Sequence, residues 1–168
     1  KTTLIDRREI GHGSTSATTS MLQYEIDIPL YQLKDQIGKK AAEESYWACY
    51  KSIDTLERIV KHIKSDCGFN KKESLYFAGL KKEFEARKNI GMPVKWLEAD
   101  EIDSQFQIKN SFGGILSEQG GSIDGFKLAH DILAYNHKKG LKIFDKTHIK
   151  KVTYLKTGVH VLTEHGTI

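Results

Sequence analysis

Thr3-Leu4-Ile5-Asp6-Arg7-Arg8, followed by Gly11-His12-Gly13-Ser14-Thr15-Ser16-Ala17, stands at the head of the chain and decides how the rest is read. Residues 2–6 form a β-branched and apolar run closed by a carboxylate, which predicts a short strand. The loop that follows combines flexible glycine backbone with hydroxyls able to cap a helix, and 17–24 is expected as a short helix behind it.

Working outward, 39–65 is the clearest helix. Ala42, Tyr46, Cys49, Tyr50, Ile53, Leu56, Val60 and Ile63 recur at three- and four-residue steps, and that stripe needs a surface to cover it. Gly68 supplies a stop. A strand is expected over 74–78 and a helix over 80–89. Pro93 disfavours helix at Met92 and prepares an extended 94–97, with a helix following at 99–105. Another strand is read at 112–116. The Gly120-Gly121 pair then leads to Asp124, an N-cap for a helix over 125–139 that Gly140 ends. Residues 141–144 read as a strand after a crossover helix, whereas 149–155 and 159–163 flank a Lys156-Thr157-Gly158 turn as a meander. Because the chain opens inside an element and stops just after a turn signal, it is expected to be an internal fragment.

Bulk properties narrow the classes. A chain of 168 residues, 39% hydrophobic, can bury a core. The formal charge of +4 comes from 26 basic against 22 acidic residues, and Lys138-Lys139 and Lys150-Lys151 lack the arginine and aromatic interleaving of a nucleic-acid groove. No nucleic-acid partner is expected. The two cysteines, Cys49 and Cys67, have no metal or redox spacing and read as reduced structural thiols. No run approaches a membrane span, no secretory leader is visible, and a cytoplasmic location is expected. The histidines make no metal-ligand pattern, so no metal site is expected.

The opening block is similar to the flavoprotein family of glycine oxidases, sarcosine oxidases and D-amino-acid dehydrogenases, the D-amino-acid oxidase family. A second block carries the same resemblance: Phe112-Gly113-Gly114-Ile115-Leu116, then Gly120-Gly121-Ser122-Ile123-Asp124, then a helix ending at Gly140 before Leu141-Lys142-Ile143-Phe144. Gly125 stands where the family usually has proline. No GxGxxG motif occurs in the chain. The resemblance implies an α/β fold: a partial FAD-binding Rossmann-like domain with part of a substrate-domain lobe. It divides the chain into 1–38 (partial FAD-binding region), 39–116 (helical and substrate-side lobe) and 117–168 (return to the FAD-binding region).

For chemistry, the resemblance implies oxidation of the C–N bond of an amine or amino acid, with glycerol-3-phosphate as a competing substrate class. FAD is expected in the parent protein and not on this piece alone, which lacks the pyrophosphate cradle and is expected to be inactive. A non-catalytic α/β interaction domain and a nucleotide-binding module without redox chemistry are the other function classes. Peripheral membrane contact of the parent and self-association of the fragment are further expectations.

Asp6 has the strongest individual case, since a carboxylate ending a second Rossmann strand can accept the ribose hydroxyls; the alternative is an ordinary strand-end acid. Arg7 is then expected beside the adenine or its phosphate. Gly13, Ser14, Thr15 and Ser16 would bring amides and hydroxyls to the diphosphate or the isoalloxazine edge, or simply cap a helix. The resemblance gives Ile149 a strand position whose backbone reads the adenine edge, compatible with a buried sheet isoleucine. His12 is either a donor to a flavin oxygen or an exposed loop histidine. No catalytic residue is named.

Overall fold

The computed structural model describes residues 2–77 and 81–168. In chain order the elements are β1 (Thr3–Ile5), a 3-10 turn at Ser14–Ala17, β2 (Met21–Gln23), α1 (Leu30–Ile37), α2 (Lys39–Ile63), β3 (Asn70–Tyr76), α3 (Lys81–Asn89), β4 (Val94–Leu97), α4 (Ala99–Phe106), β5 (Gly114–Ser122), α5 (Gly125–His137), β6 (Lys142–Phe144), β7 (Ile149–Leu155), β8 (Gly158–Thr163) and β9 (Gly166–Thr167). They gather into two compact units.

The first unit comprises Lys1–Thr19, Ile63–Cys67 and Asp124–Ile168. Here β1 and β6 pair in parallel, with Thr3 opposite Lys142 and Ile5 opposite Phe144. Parallel neighbours need a crossover connection, and the element immediately before β6 is the helix α5. Asp124 caps that helix by accepting the Lys127 amide at 2.8 Å. The segment 63–67 is stapled onto α5: the Ser65 hydroxyl donates to Asp131 at 2.5 Å, Lys127 bridges Asp66 and Asp131, and the Asp124 amide donates to the Cys67 carbonyl at 2.8 Å. A separate antiparallel sheet runs β7-β8-β9.

The second unit comprises Ser20–His62 and Gly68–Ile123. Its sheet is wholly antiparallel, with β5 flanked by β3, β2 and β4. The stripe on α2 folds as its spacing requires: Ala42, Tyr46, Ile53 and Val60 are buried, and Tyr50 and Leu56 half-buried. Tyr24, Leu30, Leu33, Ala86 and Met92 complete the core around it. Gly38, at φ +86, makes the break between α1 and α2 that a side chain would resist.

Several sequence expectations are corrected here. Residues 21–23 form a strand and not part of a helix, because their backbone groups pair with Gly120–Ser122. Gly120 and Gly121, which lead to Asp124, do so from inside β5; a Cβ on Gly120 would meet the Lys72 carbonyl oxygen at 2.9 Å, and one on Gly121 the Asn70 oxygen at 3.2 Å. Glycine here permits close strand approach. Phe112 is outside any strand and 91% exposed. The strand expected over 74–78 and the helix over 80–89 each reach into 78–80, which lie outside the described residues. Both cysteines are free, Cys67 buried and Cys49 half-buried.

Candidate functional site

Asp6 follows β1 directly, and its backbone is held on both sides. Its amide donates to the Phe144 carbonyl and its carbonyl accepts from the Thr147 amide, each at 2.9 Å. The half-buried side chain accepts the Arg8 amide through Oδ1 at 2.8 Å, a local turn that fixes the carboxylate at the strand end. The Lys146 backbone amide donates to the Arg8 carbonyl at 3.0 Å, tying the turn to the segment after β6. Arg7 is exposed beside it.

From there the chain passes over the first turns of α5. Gly11 sits at φ +79 with its α-carbon so near Phe126 that a Cβ would meet the ring at 2.7 Å. His12 stands edge-on to the same ring at 5.6 Å and is exposed. Gly13 precedes the 3-10 turn with no side-chain cap, and the Arg8 guanidinium lies 3.0 Å from where its Cβ would be. The Ser16 hydroxyl donates back to the Gly13 carbonyl at 3.0 Å. Ser14 is exposed and Thr15 half-buried. Asp6, Arg7, Gly13, Ser14, Thr15 and Ser16 thus share one segment of the first unit. Ile149 belongs to the same unit but opens β7 opposite Thr163, in the antiparallel sheet and 39% exposed, so the buried-isoleucine reading does not hold.

The second unit contains a polar cluster that the sequence reading missed. Arg87, 1% exposed, donates to Glu83 at 2.7 Å, to the Tyr24 hydroxyl at 3.0 Å and to Glu25 at 3.3 Å. Its guanidinium carbon lies 5.3, 5.5 and 5.1 Å from the ring centroids of Tyr24, Tyr46 and Tyr76. Burial alone would lower the pKa of Arg87, but Tyr24, Glu83 and Glu25 more than offset it and hold the group above its ordinary value. Burial, reinforced by Glu83, pushes the Tyr46 phenol up, and its hydroxyl donates to the Ile28 carbonyl at 3.0 Å. In sequence, Glu83 and Arg87 are one i, i+4 pair that looks like any solvated helix face; only their pairing with residues some 60 positions away marks them.

The chain thus combines a parallel strand pair closed by a carboxylate with a helix-rich antiparallel unit. The chain belongs to the DAO family of FAD dependent oxidoreductases, whose family model matches residues 1–168. Solved structures agree on the fold. Glycine oxidase from Geobacillus kaustophilus aligns at TM-score 0.73 and 17% identity, over 99% of this chain and 45% of that one. L-proline dehydrogenase from P. horikoshii gives 0.74 and 16%, over 99% and 43%, and the FAD-bound L-alpha-glycerophosphate oxidase from Mycoplasma pneumoniae 0.68 and 14%, over 98% and 43%. The chain therefore spans less than half the length of these neighbours. No curated protein matches it significantly. Among the described residues no helix is long and apolar enough to cross a membrane.

Of the groups in this segment, the Asp6 carboxylate is the one whose chemistry suits one end of FAD. Asp6 offers a fixed acceptor at a strand end, as ribose hydroxyls require.

Proposed function

We propose that this chain supplies the adenosine-side anchor and part of the substrate lobe of an FAD-dependent enzyme that oxidises the C–N bond of an amine or amino acid. The observation that carries the proposal is Asp6, pinned by Phe144 and Thr147 at the end of a parallel-paired strand. In this reading the Asp6 carboxylate accepts from the ribose hydroxyls, and Arg7 lies beside the adenine or its phosphate. Gly13, Ser14, Thr15 and Ser16 line the diphosphate or flavin edge, and the backbone of Ile149 reads the adenine.

The assignment of 1–38 and 117–168 to the cofactor side and 39–116 to the substrate side comes from the resemblance; the compact units divide the chain differently, with Lys1–Thr19, Ile63–Cys67 and Asp124–Ile168 in one and Ser20–His62 and Gly68–Ile123 in the other. The chemistry that bound flavin would supply is acceptance of a hydride from the carbon alpha to nitrogen, which leaves an imine for water to hydrolyse. The protein's part is to hold the cofactor in register and orient the donor carbon. A glycerol-3-phosphate substrate is the second reading, since the fold is shared with a glycerophosphate oxidase. A cytoplasmic setting, self-association, peripheral membrane contact of the parent and weak FAD binding by this stretch alone belong to the same proposal.

The test is an FAD titration of the full-length protein and its Asp6→Ala variant, followed by flavin fluorescence. Removing a carboxylate that accepts hydroxyl donors should weaken binding about tenfold or more. Unchanged affinity would remove Asp6 from the site.

A further inference from the structure

Within the second unit a cavity of about 230 Å³ is bounded by Gln23, Glu25 and Asp27, which lead out of β2, and by Ser74 and Tyr76 of β3. Glu25 connects this cavity to the buried arginine cluster. Its side chain is 7% exposed, and Oε1 accepts from the Ser74 hydroxyl at 3.0 Å and from Arg87 at 3.3 Å. Its second oxygen, Oε2, is buried and has no hydrogen-bond partner among the described residues. A buried carboxylate with one oxygen left bare is a costly arrangement, which a donor arriving through the adjoining cavity would relieve. Glu25 is itself one of the residues that line the cavity.

The charge balance says which donor. Two carboxylates, Glu25 and Glu83, share the single guanidinium of Arg87. Asp27, exposed, adds a further negative charge to the lining. An ammonium group brings three donors, no acceptor and the missing positive charge, whereas a carboxylate or phosphate would meet like charge. The volume lies below the roughly 300 Å³ at which pockets for drug-sized ligands begin. It therefore suits a small amine.

We propose that this cavity binds the protonated nitrogen of a small alkylammonium compound, with Glu25 as its counter-ion. The proposal rests on the amine reading of the function and narrows it: recognition is of the substrate's cationic end, from the second unit alone.

The experiment is a calorimetric or NMR titration of the full-length protein, freed of FAD as judged by its absorbance, with n-butylammonium, 1-butanol, butyrate and inorganic phosphate. Butylammonium is expected to saturate, with the other three weaker by about tenfold or more, the size of one charge-assisted hydrogen bond to a buried acid. Glu25→Gln keeps the shape and should erase that preference; Asp27→Asn, at an exposed position, should reduce it by a smaller factor. Butanol binding as well as butylammonium, a preference that both variants leave intact, or no butylammonium binding would each overturn the proposal. The comparison among ligands needs no variant, so it decides even if Glu25→Gln does not fold. Amine binding is read without flavin, so its failure leaves the Asp6 test standing, and failure at Asp6 leaves the ammonium preference measurable.

Discussion

Replacing Arg87 by methionine keeps most of the volume of the side chain but removes every donor it offers. Glu83 then loses its 2.7 Å partner at complete burial, Glu25 loses its 3.3 Å partner, and the Tyr24 hydroxyl loses the donor at 3.0 Å. Breaking a buried pair from one side costs about 3–5 kcal/mol, because the remaining charge stays in a poorly solvating interior. At roughly 2–4 °C per kcal/mol for a chain of this size, the melting temperature should fall by about 6–20 °C. Urea unfolding followed by near-ultraviolet circular dichroism is the suitable assay, since the rings of Tyr24, Tyr46 and Tyr76 surround the substituted group. Adding Glu83→Leu to Arg87→Met should recover part of the loss, as the stranded charge is removed with its partner. A loss under about 1 kcal/mol, the scale of an exposed ion pair, would show that the cluster is solvated and that the reasoning fails.

Gly11→Ala should destabilise the first unit by about 2–4 kcal/mol, adding the left-handed backbone penalty to the clash with Phe126, and an unchanged thermal melt would contradict the close packing. Gly113→Ala should be at least as damaging, because φ is +97 and the new methyl would run into Trp96; a soluble variant of normal melting temperature would count against it. The Ser65 hydroxyl lowers the Asp131 carboxyl, and Lys127 lowers that of Asp66. Folded values below the unfolded value of about 3.9 mean that this stabilisation is present above that pH and is lost as pH falls through the folded values. The protection factor of the Asp124 amide, its exchange rate relative to an unfolded amide at the same pH, should fall below about pH 4, and Asp131→Asn should flatten that dependence; a pH-independent protection factor in the unsubstituted chain would refute it.

What was legible in the sequence was what repeats locally or has a fixed place on an element. The stripe on α2 could be read because eight apolar side chains keep helical spacing, and the end of β1 because a carboxylate closes its apolar run. The Lys156-Thr157-Gly158 turn likewise announced its hairpin, seen with Leu155 opposite Gly158. Where partners are distant the reading went astray. The strand read over 112–116 stops short of Gly120-Gly121, which join β5 only through their pairing with β2 and β3, and 21–23 has no strand signature of its own beyond three residues. Arg87 is the clearest case: nothing in Lys81–Asn89 distinguishes a buried charge, and the three tyrosines that enclose it come from Tyr24, Tyr46 and Tyr76.

The pairing of Thr3 with Lys142 also constrains how the molecule is made. During synthesis, β1 leaves the ribosome long before the strand that completes its ladder. At about 5–20 residues per second, the roughly 139 residues between them take on the order of 7–28 s to appear. All of Ser20–His62 and Gly68–Ile123 emerges in that interval, so the antiparallel unit can fold while Leu4 and Ile5 wait without their neighbour. Local contacts form first and the ring-closing parallel pair last. Among the described strand pairs β1 therefore waits longest for its partner, and slowing translation before Lys142 should lengthen that wait.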